Sequence, residues 1–207
     1  MTLHSLAEFF NRLFKSRVDP LAFAARLERD ALFSWLETSE QGLLDREAED
    51  RVACLGGPEK TGHAVRVLRR DRRSILPSDL AGVFMVHVES GSPRWKEIDS
   101  GQLAPGDLIE LREGDRVPVG VRLIDCDDFL VDQSALTGCC VPVRKHAGIG
   151  AEMTPADFPN IARSGARVAS GRAFAVVVSD GPVRSMRESA APMLSSLSGY
   201  GFLVARH

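Results

Sequence analysis

Two adjacent thiols, Cys139 and Cys140, follow the run Asp132-Gln133-Ser134-Ala135-Leu136-Thr137-Gly138 and precede Val141-Pro142-Val143. Thiolates are nucleophiles, soft metal ligands and redox sensors. A zinc centre here would need both thiols, His146 and one more ligand, because structural zinc takes four. Redox sensing would draw on Arg144 and Lys145, the cations that follow the pair. A disulfide between the neighbours is strained. A trans peptide sets successive Cα atoms about 3.8 Å apart, short of the lower limit of about 4.4 Å for ordinary bridges. The remaining alternative is a pair of thiols with no chemical task. His4, His63, His87, His146 and His207 share no ligand spacing, and neither a Ser/His/Asp arrangement nor a Gly-rich phosphate loop occurs.

The chain that must position this run has 207 residues, 44% hydrophobic and 26% charged, with a net charge of -2. That length supports one well-buried domain, or a domain with a small helical appendage. A near-neutral charge gives no electrostatic footprint for nucleic acid. Arg66, Arg69, Arg70, Arg72 and Arg73 form a local basic run whose simplest reading is a solvated linker. No stretch approaches the 18 or so consecutive apolar residues of a membrane span. Residues 1–17 carry Glu8, Asn11 and Arg12, so they lack the apolar core of a signal peptide. The expectation is a soluble, cytoplasmic protein. The four cysteines, Cys54, Cys126, Cys139 and Cys140, match neither a secreted disulfide framework nor a paired zinc motif.

Helical periodicity dominates the first quarter. Leu3, Leu6, Phe10 and Leu13 recur at helical spacing over residues 3–16, with peripheral membrane contact as the minor alternative to packing. Asp19-Pro20 is a helix start, predicting one helix to about Glu37. Asp45 begins a third helix in which Ala48, Val52 and Leu55 share a face. From Gly82 the period becomes two. Val83–Val88 and Arg94–Ile98 are expected to pair as a hairpin, followed by strands at 107–111, 117–124, 129–131 and 173–178. The last is apolar enough to be buried on both faces. The organisation expected is a helical segment over 1–56, a linker over 57–80, a β domain over 81–183 and a tail over 184–207. The fold class is α+β, mainly β: a distorted jelly-roll-like sandwich or barrel with an N-terminal helical segment.

Motifs along the β region point in one direction. Residues 103–111 read L-A-P-G-D-L-I-E-L, and 114–123 read G-D-R-V-P-V-G-V-R-L. The 132–143 run follows, then Asn160, Gly165, Val168 and Gly171, then the strand leading to Asp180-Gly181. In this order they resemble the actuator domain of P-type cation-transporting ATPases, whose loop runs D-Q-S-x-L-T-G-E-S-x-P-V. The segment Gly42-Leu43 to Pro58 is similar to the stretch that precedes the first membrane helix in these pumps, most like the magnesium-transporting subgroup. The resemblance implies that Pro105, Gly106, Asp107, Gly114, Asp115, Pro118 and Asp132 form the scaffold. It also implies that Thr137, Gly138, Cys139 and Cys140 form the dephosphorylation loop. Two departures stand in that loop: Cys139 replaces the family's Glu and Cys140 its Ser. Gly120 and Ala166 also depart, from Asp and Thr.

The family's Glu orients and deprotonates water at an aspartyl-phosphate, a task suited to an ionised carboxylate. A thiol is shorter, a weak acceptor and mostly protonated at neutral pH. No catalytic residue is therefore expected to be intact, and no cofactor is expected. Within these 207 residues there is no D-K-T-G-T phosphorylation motif and no nucleotide-binding region. The resemblance implies a non-enzymatic, degenerate actuator acting in regulation or interaction, with the cytoplasmic domains of a complete P-type ATPase as partner. The alternatives are a trans-acting subunit of a split pump and a thiol-based metal or redox module using Cys139 and Cys140, with His146 as a weak third ligand.

Overall fold

A computed structural model describes residues 19–55, 58, 62–71, 92–149 and 158–178. The expected helix over 3–16, the strand Val83–Val88 and the tail over 184–207 lie outside the described residues. The chain begins with α1 (Pro20–Ala24), α2 (Arg29–Trp35), β1 (Leu43–Leu44) and α3 (Asp45–Leu55). Seven strands follow: β2 (Ala64–Arg70), β3 (Pro93–Asp99), β4 (Leu108–Arg112), β5 (Val121–Asp132), β6 (Val143–Arg144), β7 (Ile161–Ala162) and β8 (Arg167–Val177). A four-residue helix, α4 (Ser134–Thr137), lies between β5 and β6. The fold is α+β and mainly β, as expected.

The strands form one mixed sheet in the order β1-β2-β4-β8-β5-β6, with β3 added on β2 and β7 on β5. This order does not close on itself. Among the described residues, only the β1–β2 pair is parallel. The sheet carries apolar residues on both faces. Ala173, Ala175 and Val177 of β8 join Ile109, Leu111, Val121, Leu123 and Phe129 in the main core. Val176 and Val178 point the other way and pack with Leu108 against Leu21, Leu32 and Leu36 of the helical segment. The period-two alternation of a strand puts neighbours on opposite faces, so a strand covered on both must be apolar throughout. Each buried Val, Leu, Ile or Phe among them contributes roughly 1.5–3 kcal/mol by leaving water.

Three expectations change. The helix from Pro20 to about Glu37 is two helices. Its break follows from tertiary donors that satisfy carbonyls at the end of α1. Arg122 Nε donates to Ala24 O at 3.2 Å, and Asn160 Nδ2 donates to Ala25 O at 2.9 Å. Secondly, the segment read as a linker contains β2, paired along its length with β3 and in part with β4. The basic run is not simply solvated: Arg69 is 5% exposed, because its guanidinium pairs with the buried Asp107. β3 pairs with β2, and Val83–Val88, the hairpin partner expected for it, lies outside the described residues. Thirdly, the separate strands over 117–124 and 129–131 merge into β5, which absorbs the intervening polar residues in bulges against β8.

Candidate functional site

The signature loop begins where β5 ends. Asp132 Oδ1 accepts the Ser134 N–H at 2.8 Å, turning the chain into α4. That bond, then one with the Ser134 hydroxyl, holds the Asp132 carboxyl below its ordinary value, with Arg167 adding to the effect. Gln133 is buried, and its carbonyl accepts the Thr137 N–H at 2.9 Å and the Thr137 hydroxyl at 3.1 Å. Gly138 adopts φ +74° at the C-cap, and its N–H donates to Ser134 O at 2.9 Å. A left-handed residue here ends the helix, and glycine takes that conformation without the Cβ penalty. The Thr137 hydroxyl oxygen then accepts the Cys139 N–H at 3.3 Å.

The fold thus fixes the loop's entrance and leaves its apex open. Thr137, Gly138, Cys139 and Cys140 are all exposed, and both cysteines are free thiols. Leu136, Val141 and Val143 flank them at 47%, 69% and 42% exposure. The cations that follow the pair are engaged elsewhere. Arg144 Nη1 donates to Asp128 Oδ1 at 2.7 Å, and the buried Lys145 Nζ donates to Phe158 O at 2.9 Å. His146 is exposed, its backbone N–H held by Pro159 O at 2.9 Å. Among the described residues, no group of three or more His, Cys, Asp or Glu is arranged to hold a metal.

Apart from Asp132, the scaffold residues fall into two turns. Gly106 has φ +94°, and a Cβ there would lie 2.6 Å from Arg51 Nη1, so the close approach requires glycine. Asp107 is fully buried. It accepts from Arg69 Nε at 2.8 Å, Arg69 Nη2 at 2.6 Å and the Ala104 N–H at 2.7 Å. Pro105 O accepts from Arg51 Nη1 at 2.8 Å. In the second turn, Asp115 Oδ2 accepts the Arg112 N–H at 2.8 Å beside Gly114, and Pro118 O accepts the Ser164 hydroxyl at 3.1 Å. Partial burial raises the Asp115 carboxyl above its ordinary value.

A cleft of about 680 Å³ is lined by residues of this second turn and the loop entrance, Asp115, Arg116, Asp132 and Ser134, together with Arg66, Glu110, Arg112 and Arg167. Glu110 is buried, and Arg66, Arg112 and Arg172 all pair with it at 2.6–3.0 Å. Neither Cys139 nor Cys140 lines the cleft. Asp115, Gly114, Pro118 and Asp132 therefore share one site, while the Pro105–Asp107 turn sits apart against the helical segment. Arg51, Arg69, Glu110 and Arg122 were not singled out by the sequence as site-organising residues. Most of their partners lie far along the chain; the Glu47–Arg51 spacing of four on α3 and the Glu110–Arg112 spacing of two on β4 were the local signs.

Comparison with known proteins gives this geometry a family. A protein of Salmonella typhimurium named "Magnesium-transporting ATPase, P-type 1" is 36% identical over 113 residues, which is 54% of this chain and 12% of that protein. The Escherichia coli K12 protein of the same name is 34% identical over 113 residues, 54% of this chain and 13% of its own. A Bacillus subtilis protein named "Calcium-transporting ATPase" is 33% identical over 138 residues, 62% of this chain and 15% of its own. This chain thus spans 12% to 15% of the length of these relatives. The family model described as the P-type ATPase actuator domain matches residues 84–193, more than half of the chain, and the chain therefore belongs to that family.

Proposed function

We propose that this is a catalytically degenerate actuator-type domain, acting in ion transport as a regulatory or interaction module on the cytoplasmic side of the membrane. The observation that carries the reading is the thiol of Cys139 at the exposed apex of a loop whose entrance and turns are fully hydrogen-bonded. General-base catalysis by a positioned carboxylate contributes about 10²–10⁴ in rate. Cys139 presents a short thiol in its place, so that contribution is lost while the loop keeps its shape. Leu136, Val141 and Val143 then offer an apolar contact surface around the apex. The partner is the set of cytoplasmic domains of a P-type ATPase, and magnesium is the ion favoured by the names of the relatives that match.

The test uses a complete magnesium-transporting P-type ATPase. Transplanting the Thr137–Cys140 sequence into its actuator loop is expected to slow decay of the phosphorylated intermediate by about 10²-fold or more. Unchanged decay would show that the thiol suffices. The wild-type chain added in trans to the unmodified pump is expected to bind it, with Leu136→Asp and Val141→Asp weakening that binding. Faster turnover on mixing would instead favour the split-subunit reading.

A further inference from the structure

Cys139 and Cys140 can do what a single exposed thiol cannot: grip one atom from two sides. We infer that they form a dithiol capture site for a soft, thiophilic ligand of low coordination demand, with a trivalent arsenical as the matching class. This inference does not depend on docking to a pump.

Four observations lead there. Both thiols are free and exposed. The two cations that follow the pair are engaged away from the apex: Arg144 pairs with Asp128 and Lys145 binds the Phe158 carbonyl. Among the described residues no third side-chain ligand joins them, which argues against an ion that needs four protein donors. Leu136, Val141 and Val143 expose apolar surface on the same stretch of chain, suited to an organic substituent on the captured atom.

Covalent geometry separates capture from oxidation. A direct bridge needs sulfurs about 2.04 Å apart, and ordinary bridges need Cα atoms at least about 4.4 Å apart, whereas adjacent residues offer about 3.8 Å. An inserted atom relaxes this. With metal–sulfur bonds of about 2.3 Å, as in zinc thiolates, two sulfurs bound to one centre sit more than about 3 Å apart. A trivalent arsenical satisfies itself with two thiolates and its own carbon. The reaction is a condensation without redox change. The As=O bond of an arsine oxide breaks, its oxygen takes the two S–H protons and leaves as one water, and two As–S bonds form on the retained arsenic.

Phenylarsine oxide is the probe, with intact-mass measurement on the reduced, folded chain. The expected product is one adduct per chain, of mass equal to the probe less one water. It should persist in excess monothiol and be removed by a small dithiol. Cys139→Ser and Cys140→Ser are each expected to weaken retention by about a hundredfold or more, as the second sulfur's high effective concentration is lost. Cys54→Ser and Cys126→Ser should retain the adduct. Retention unchanged in either Cys139→Ser or Cys140→Ser, or loss in Cys54→Ser, would overturn the inference. Both loop thiols are exposed, so the serine variants are expected to fold, and far-ultraviolet circular dichroism checks that they do.

Discussion

Replacing Arg69 with methionine tests how the Pro105–Asp107 turn is held. Asp107 is 0% exposed and Arg69 is 5% exposed, so the pair lies out of water. The carboxylate has three donors: Arg69 Nε at 2.8 Å, Arg69 Nη2 at 2.6 Å and the Ala104 N–H at 2.7 Å. Methionine keeps much of the side chain's length and apolar contact but removes both guanidinium bonds, leaving a buried anion with one backbone donor. Breaking a buried pair from one side costs about 3–5 kcal/mol. With a urea m-value of about 2 kcal/mol/M, the unfolding midpoint falls by about 2 M. Adding Asp107→Asn to Arg69→Met removes the stranded charge while keeping an oxygen for the Ala104 N–H. That change should recover about 1–3 kcal/mol. Urea titration followed by emission of Trp35 and Trp95 reads both variants, and the double-mutant cycle isolates the coupling. A midpoint shift below about 0.5 M for Arg69→Met would refute the argument, as would a double variant less stable than the single one.

Gly106→Ala should cost about 1–3 kcal/mol in the same titration, because φ is +94° and the new Cβ meets Arg51 Nη1 at 2.6 Å. Asp132 should titrate below its ordinary 3.8 by carbon-13 NMR, and Ser134→Ala, which keeps the backbone N–H, should move it part-way back. The lowered value means that the stabilisation from Asp132 is present above 3.8 and is lost as pH falls through the folded-state value. Asp115 carries the opposite sign. Its raised value makes stability decline as pH rises from 3.8 through the folded-state value, and Asp115→Asn should remove that decline. Burial, reinforced by Asp125, pushes the Cys126 thiol from 9.0 up to about 11, so iodoacetamide should modify it about a hundredfold more slowly than a thiol at the ordinary value.

What the sequence disclosed depended on whether a residue's reason was local. The strand at 173–178 was legible because burial on two faces forces an apolar run, and both faces are indeed covered. Asp19 was legible as a cap because its Oδ1 accepts the Leu21 N–H, two residues on, at 3.0 Å. The position of the loop was legible from its motif, but its exposure was not, since exposure depends on what the rest of the sheet leaves uncovered. β2 was missed because its alternation reads Val65, Val67, Arg69, and an arginine on an inward face signals solvent until its partner is known. That partner, Asp107, lies 38 residues away. The end of α1 was missed for the same reason: the donors that replace its next turn come from Arg122 and Asn160. Long-range polar partners override local propensity without leaving a periodic trace.

Arg51 ties three pieces of chain together through one planar group. Its Nη1 donates to Leu36 O at 2.7 Å and Pro105 O at 2.8 Å, and its Nη2 donates to Glu37 O at 2.8 Å and Glu47 Oε1 at 2.6 Å. Beside it, the Thr38 hydroxyl donates to Gly106 O at 2.8 Å. Mechanically this is a rivet. Bonds that converge on one rigid guanidinium share a load and must fail together, whereas bonds spaced along a strand can be peeled in turn. A pull on the helical segment is therefore delivered whole to the turn at the root of β4.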